Sequence, residues 1–322
     1  MNVLILGGAG YIGSVTTRLF LSRGANVTVL DKLLFGGEHL IDILKNPKFK
    51  FIHGDIRNKL DIQSAVTGVD IVINLAAIVG EPLCAKYPDI AYDTNYKAAC
   101  AVGDLAKENG IRKYIFISTC SNYGINTDSE EATEQSKVSP VSLYAETKVN
   151  AEKYVLNLKS DSFSTTIVRF ATVFGLSPRM RLDLLVSEFV KQAFFTGKIT
   201  IYKPEVFRPL IHTTDAAKAL FLLAKTSKNI SGEIFNVGYG NYQKKEIVKK
   251  IIARMPSVKM TILSSAKDKR DYRVSFEKIK KKLGFKAVFS LEEGIEEIIQ
   301  ALKWRLFINP DDTRLTNNLK LQ

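Results

Sequence analysis

Short apolar runs alternate with amphipathic stretches along the first half of the chain. Residues 2–6, NVLIL, form a continuous apolar run suited to a strand buried on both faces, and SVTTRLFLSRG after it has helical spacing and stops at Gly24. Further strand-like runs are NVTVL at 26–30, a segment at about 49–53, DIVINLA at 70–76, KYIFIS at 113–118 and FSTTIVRF at 163–170. Between them the spacing predicts helices at about 38–45, 59–67, 89–109 and 143–158. Strand and helix in strict alternation predict right-handed crossovers within one parallel sheet. The expected fold class is therefore α/β, a Rossmann-type doubly wound parallel sheet with a smaller C-terminal lobe.

The turn after the first run carries the first chemistry. Gly7, Gly10 and Gly13, with Tyr11 and Ile12 between the last two, stand where a strand gives way to a helix. Glycines at this spacing permit a tight turn and close approach of backbone to a pyrophosphate, and the unpaired N–H groups of a helix N-terminus favour phosphate. Asp31 ends the second strand, eighteen residues after Gly13. A carboxylate there accepts hydrogen bonds from the adenosine ribose and repels a 2′-phosphate, which predicts NAD rather than NADP as cofactor. Lys32, directly after it, acts against that preference.

The second constellation is SLYAETKVNAEKY. Tyr144 and Lys148 are four residues apart, so a helix puts both on one face, where the Lys148 ammonium favours the ionised Tyr144 phenol. A free tyrosine titrates near 10 and is a poor base at neutral pH, so a neighbouring cation has a chemical purpose. Upstream, KYIFIS runs into Thr119, Cys120 and Ser121, at the carboxyl end of a strand where open α/β sheets hold ligands. A hydroxyl there is placed to contact a reacting oxygen.

Taken together, GGAGYIG, Asp31, GDIR at 54–57, NLAA at 74–77, Asn95, ISTCSNYG at 117–124, YAETK at 144–148 and RPLIHTTDAAKA at 208–219 resemble an extended short-chain dehydrogenase/reductase of the nucleotide-sugar epimerase/dehydratase type. The resemblance runs from residue 1 to about residue 305. It implies a cofactor domain over 1–170 that carries the catalytic tyrosine and lysine, a substrate-binding lobe over 171–308 interleaved with the sheet, and a loosely held polar tail over 309–322. It also implies Thr119, Tyr144 and Lys148 as the catalytic set, and cofactor contacts from Asp55, Ile56, Leu75, Ala76, Ala77 and Asn95. Arg208 and Arg270 match the family's substrate-diphosphate arginines, and Arg179, Arg181, Thr172, Cys120 and Ser121 are further candidates for the substrate. Arginine suits this task because its planar fork binds phosphate oxygens in pairs. A homodimer through a four-helix bundle built from the helices at 92–109 and 143–158 is implied as well.

The resemblance also narrows the reaction. Family 4,6-dehydratases carry Asp and Glu directly after the threonine, where this chain has Cys120 and Ser121, so dehydration is not expected. The 3,5-epimerases place a cysteine one position later, at Ser121 here. VGEPLC at 79–84, SPRMRLDLLVSEFV at 177–190 and KRDYRVS at 269–275 are similar to bacterial sugar-nucleotide enzymes that oxidise or epimerise C4, including GDP-heptose C4 dehydrogenases. The implied function is NAD-dependent C4 oxidation of a nucleoside-diphosphate sugar, by a dehydrogenase or a 4-epimerase. A 4-ketoreductase running the same step backwards is the alternative, and a non-catalytic dinucleotide sensor or RNA-binding member of the superfamily is the alternative from another class.

Composition changes this picture little. The chain has 322 residues, 46% hydrophobic and 25% charged, with a net charge of +13, and the densest basic stretches, 243–254 and 278–286, are interleaved with apolar residues at helical spacing. They read as solvated helix faces, so no nucleic acid is expected as partner. Three scattered cysteines and three histidines suggest neither a disulfide framework nor a metal site. No apolar run reaches the roughly 20 residues that span a bilayer and the first strand begins at residue 2, so a cytoplasmic protein without a membrane anchor is expected.

Overall fold

The computed structural model describes residues 1–125, 130–263, 270–307 and 309–317. Residues 126–129, residues 264–269, which include Lys269 of KRDYRVS, position 308 and positions 318–322 of the tail lie outside the described residues.

The first half runs β1 (Asn2–Leu6), α1 (Tyr11–Ser22), β2 (Asn26–Asp31), β3 (Phe49–His53), α2 (Lys59–Ala65), β4 (Ile71–Asn74), α3 (Glu81–Lys86), α4 (Pro88–Tyr92), α5 (Ala98–Glu108), β5 (Lys113–Thr119), α6 (Leu143–Asn157) and β6 (Ser164–Phe170). The second half adds β7 (Thr172–Phe174), α7 (Leu185–Thr196), β8 (Lys198–Tyr202), β9 (Phe207–His212), α8 (Thr213–Lys225), β10 (Glu233–Val237), β11 (Gly240–Gln243), α9 (Lys244–Ile252), β12 (Lys259–Leu263), α10 (Glu277–Leu283) and α11 (Leu291–Lys303).

Seven strands form the main sheet in the order β10-β6-β5-β4-β1-β2-β3, every pair parallel. This is the doubly wound α/β arrangement expected from the alternation of strands and helices, extended at one edge by β10 from the second half. Its central strands are buried on both faces: Val3, Leu4, Ile5 and Leu6 of β1, and Val72 and Ile73 of β4, are essentially inaccessible. One apolar core lies on the α1 and α8 side and runs on into the second half, and another lies on the α2, α5 and α6 side. Two smaller sheets, β11-β9-β7 and β12-β8, complete the second half. The order of strands reverses between β1 and β4, and the loops leaving those two strands part there. That divergence opens the crevice in which such sheets bind ligands.

Two predicted helices differ. Residues 38–45 form only a 3-10 turn, Glu38–Leu40, followed by further turns. The stretch is hemmed between Gly36-Gly37 and Asn46-Pro47, too short to repay the cost of nucleating an isolated helix. The helix expected at 89–109 is interrupted by a π-turn at Asp93–Lys97, between α4 and α5. Asn95 lies in that turn. Its amide donates to the Ile78 carbonyl at 3.0 Å and accepts from the Ile78 N–H at 2.8 Å, so the added residue turns a polar side chain inward onto the loop after β4.

Candidate active site

The turn after β1 is compact because its glycines leave no room for side chains. Gly7 has φ +75, and a Cβ on Gly13 would come 2.1 Å from the Gly7 carbonyl oxygen. Gly10 caps α1 and donates its N–H to Gly7 O at 3.0 Å. The first helical N–H groups, those of Tyr11 and Ile12 among them, therefore face the crevice without intrahelical acceptors. The Tyr11 side chain turns away and donates to Gly175 O at 2.7 Å.

Asp31 stands beside this turn. Its carboxylate accepts the Ala9 N–H at 2.9 Å and the Leu33 N–H at 2.9 Å. Burial raises the carboxyl above its usual range, and those two N–H groups work in the opposite direction. Lys32 and Arg57 both pair with Asp55, at 3.1 and 2.6 Å. Burial would raise Asp55, but these partners outweigh it and hold the carboxyl below its usual range.

A single cavity of about 1270 Å³ joins this turn to the end of β5 and to α6. Cavities that hold one small ligand usually measure about 300–1,000 Å³, so this one has room for a dinucleotide and a second ligand. On its wall stand Gly7, Gly10, Tyr11, Ile12, Gly13, Asp31, Lys32, Asp55, Ile56, Leu75, Ala76 and Ala77 on the cofactor side. Thr119, Ser121, Tyr144, Lys148, Thr172, Arg179, Arg181, Arg208 and Arg270 complete it on the other.

Two expected contacts are absent from that wall. Asn95 is buried, and both ends of its amide are occupied by Ile78, so it holds the 78 loop in place instead of meeting a ligand. Cys120 points into a small apolar cluster with Tyr123, Ala132, Tyr272 and Val274, and its thiol donates to Arg169 O at 3.3 Å. Cys120 opens a 3-10 turn, Cys120–Tyr123, capped by Thr119, and that turn directs its side chain inward.

Ser142 caps α6 by accepting the Ala145 N–H at 3.3 Å, which fixes the first turn that carries Tyr144. One turn further on, Lys148 is 2% exposed, its Nζ 4.3 Å from the Phe116 ring centroid. Burial brings the Lys148 ammonium down to about 7, against the pull of the Glu152 carboxylate. Tyr144 is half-buried at the cavity wall. Enclosure pushes its phenol above the ordinary range, the Cys84 thiol adds to that, and Arg181 and Arg270 oppose it. This corrects the expectation of a tyrosine lowered by Lys148. In this crevice desolvation governs both groups and drives each toward its neutral form.

Thr119 Oγ1 accepts the Ser121 N–H at 3.0 Å, which leaves its own hydroxyl proton available to the cavity. Ser118 is engaged elsewhere. It donates to Glu152, which also receives Asn122 Nδ2 at 2.7 Å and a two-pronged Arg169 at 3.0 and 2.6 Å. That buried network lies beneath the β5 loop and one turn after Lys148. Sequence reading missed it, although Glu152 at the fourth position after Lys148 shares its helix face.

The four arginines all have protein partners. Arg208 donates to the carbonyls of Phe207 and Arg270 at 2.7 and 2.8 Å, Arg270 pairs with Glu81 at 3.2 Å, and Arg181 is forked onto Asp183 at 3.0 and 2.8 Å. Arg179 stacks 3.7 Å from the Phe35 ring centroid and donates to Thr316 and Asn317. Burial draws it down to about 9. Asn317 itself lines the cavity, so the tail expected to be loose is tied to the site over its described part.

Comparison with known proteins agrees with this geometry. A family model described as the NAD dependent epimerase/dehydratase family matches residues 3–238. The low-salt glycan biosynthesis protein Agl12 of Haloferax volcanii is 28% identical over 93% of this chain and 97% of its own length. A UDP-glucose 4-epimerase of Lactobacillus helveticus is 29% identical over 78% of this chain and 82% of its own. Among solved structures, the UDP-glucuronic acid 4-epimerase of Bacillus cereus, in complex with UDP-glucuronic acid and NAD, superimposes with a TM-score of 0.86 at 25% identity, covering 94% of this chain and 99% of that one. No helix of the described residues is long and apolar enough to cross a membrane.

Proposed function

The chain belongs to the NAD-dependent epimerase/dehydratase family, and from that premise we propose that it oxidises C4 of a nucleoside-diphosphate sugar with Tyr144 as the general base. The observation that carries this reading is the convergence of Tyr144, Lys148 and Thr119 on one cavity with the glycine turn and Asp31. The glycine turn, the free N–H groups opening α1 and the Asp31 carboxylate fit the pyrophosphate and ribose of NAD. When bound, NAD supplies the two-electron acceptor and a positive charge.

Thr119 donates toward the substrate oxygen and orients it. With the positive charge that NAD would supply offsetting the burial that holds the phenol neutral, Tyr144 reacts as its phenolate, and its Oη takes the proton of the C4 hydroxyl as that carbon is oxidised. Lys148, titrating about 7, exchanges its proton readily at neutral pH and so supports proton movement at the tyrosine. Arg208 and Arg270, on the same side of the cavity, supply positive charge for a diphosphate. Return of hydrogen to the other face of the sugar gives epimerisation, and departure of the keto sugar gives net dehydrogenation.

One feature favours C4 oxidation and reduction over dehydration. Cys120 is sequestered from the cavity and Ser121 is no carboxylic acid, so the loop after Thr119 offers no second acid–base pair. The relatives include both 4-epimerases and 4,6-dehydratases, so the loop carries this distinction by itself. The homodimer reading rests on α5 and α6, which lie side by side with Tyr154 donating to Asp104 at 2.9 Å.

The test is to incubate the protein with NAD and a panel of nucleotide sugars, following absorbance at 340 nm and product stereochemistry. Tyr144→Phe should lower turnover by about 10²–10⁴-fold and still bind NAD. Turnover equal to the parent in that variant overturns the assignment.

A further inference from the structure

The described C-terminal residues do not trail into solvent. Past α11 the chain returns across the cavity and joins the three loops that form its rim. Leu182 donates its N–H to Leu315 O at 2.7 Å, which fastens the segment to the loop after β7. Asn317 donates its N–H to Asp183 at 3.1 Å and its side-chain amide to Val79 O at 3.2 Å, so one residue bridges the loop after β7 and the loop after β4. Arg179 closes the same joint by donating to Thr316 O at 3.0 Å and Asn317 Oδ1 at 3.1 Å. At the third loop, after β2, Arg314 pairs with Glu38 at 2.6 Å.

Each of these loops carries wall residues: Leu34 and Phe35 on the first, Val79 on the second, Arg179, Arg181 and Asp183 on the third. Loops that must part to release a ligand are thus stitched together by one segment. The stitches differ in strength. The Arg314–Glu38 pair is well exposed, the type of ion pair that contributes little. Arg179, at 4% exposure, is buried, and its hydrogen bonds to the segment are sheltered from water. The segment is thus held by a weak outer contact and by a sheltered inner one.

We propose that residues 309–317 form a strap that retains the dinucleotide in the crevice from one turnover to the next, with Asn317 as a positioning residue at the cavity wall. This rests on the reading of the crevice as an NAD site. It bears on the outcome of the proposed reaction, since a retained dinucleotide that is reduced by the sugar must give its electrons back to the keto sugar before the next cycle. With the electrons returned to the opposite face of C4, such a closed cycle is epimerisation.

Stopped-flow measurement of NADH release tests the strap directly. The full-length protein is loaded with NADH and chased with excess NAD while NADH fluorescence is followed, and the same is done with Arg314→Ala/Asn317→Ala and with a chain ending at Pro310. Loss of the Asn317 side-chain bonds to Val79 and Arg179, together with the Arg314–Glu38 pair, should speed release on the order of tenfold in the double variant, and the shortened chain, which also loses the backbone bonds to Leu182 and Asp183, should release faster still. Circular dichroism and urea unfolding check that each variant is folded, and if the shortened chain is not, the double variant decides alone. Release at the parental rate from the folded variants overturns the proposal. A parent that releases NADH slowly yet converts no nucleotide sugar leaves the strap standing and removes the C4 reading, so the two failures are distinguishable.

Discussion

Replacement of Lys148 by methionine should make the protein more stable at pH 7 while it abolishes turnover. The side chain is 2% exposed, with Nζ over the Phe116 ring at 4.3 Å, and burial moves its titration from 10.5 to about 7. In the unfolded chain the same amine remains protonated up to about pH 10. At about 1.36 kcal/mol per pH unit, holding it in the fold at pH 7 costs on the order of 4 kcal/mol. Methionine fills similar volume without that penalty but forfeits the contact of the ammonium with Phe116, worth about 1–2 kcal/mol. Glu152 does not become a stranded charge, because Arg169 holds both its oxygens. The expected net gain is about 1–3 kcal/mol.

The sign with pH follows from the same linkage. Between about 7 and 10.5 the unfolded state binds more protons at this site than the folded state, so the parent gains stability as pH rises through that window. The Lys148→Met variant lacks this contribution, and its advantage should shrink by about 1 kcal/mol or more per pH unit. Urea unfolding of both proteins at pH 7, 8 and 9 measures the gap. A variant less stable than the parent at pH 7, or a gap that stays constant from 7 to 9, would refute the argument that the amine is held against its solvation.

Gly13→Ala would set a methyl group 2.1 Å from the Gly7 carbonyl oxygen, so the turn must shift; a loss of about 3 kcal/mol or more in urea unfolding and of NAD binding by fluorescence titration is expected. Asp31→Asn removes the charge that opposes a 2′-phosphate, and the ratio of kcat/KM with NAD to that with NADP should fall about 10–100-fold, at a cost of about 1–2 kcal/mol because an amide N–H would face Ala9 or Leu33 N–H. An unchanged ratio would show that this carboxylate is not the discriminator.

Much of the fold was legible because its signals are local. Continuous apolar runs mark strands buried on both faces, glycines mark the turn, and Asp31 falls at the end of β2 as its spacing implies. The second half needed more, since β10 pairs with β6 across more than sixty residues and nothing in its composition names that partner. The catalytic candidates were legible as a helix face, whereas their electrostatics were not. Spacing places Lys148 near Tyr144 but carries no measure of desolvation, which reverses the expected direction at the phenol. Asn95 and Cys120 stand behind the cavity wall for a related reason: a polar residue at the right position still has to point the right way. Asn95 is turned by an extra residue in its helix and Cys120 by the 3-10 turn that follows β5. The tail read as loose because it is polar, and only the positions of Val79, Arg179 and Asp183 show what its polar groups meet.

The π-turn between α4 and α5 sets a limit on how this chain can vary. One surplus residue in a helix rotates everything beyond it by about 100°, so the faces of α4 and α5 are in register with their neighbours only while the surplus is kept. A one-residue deletion there would yield a more regular helix, yet it would swing the Asn95 amide off Ile78 and misphase the side of α5 that covers the sheet. Sequence length between Tyr92 and Ala98 is therefore constrained more tightly than residue identity, the reverse of what an exposed connection permits.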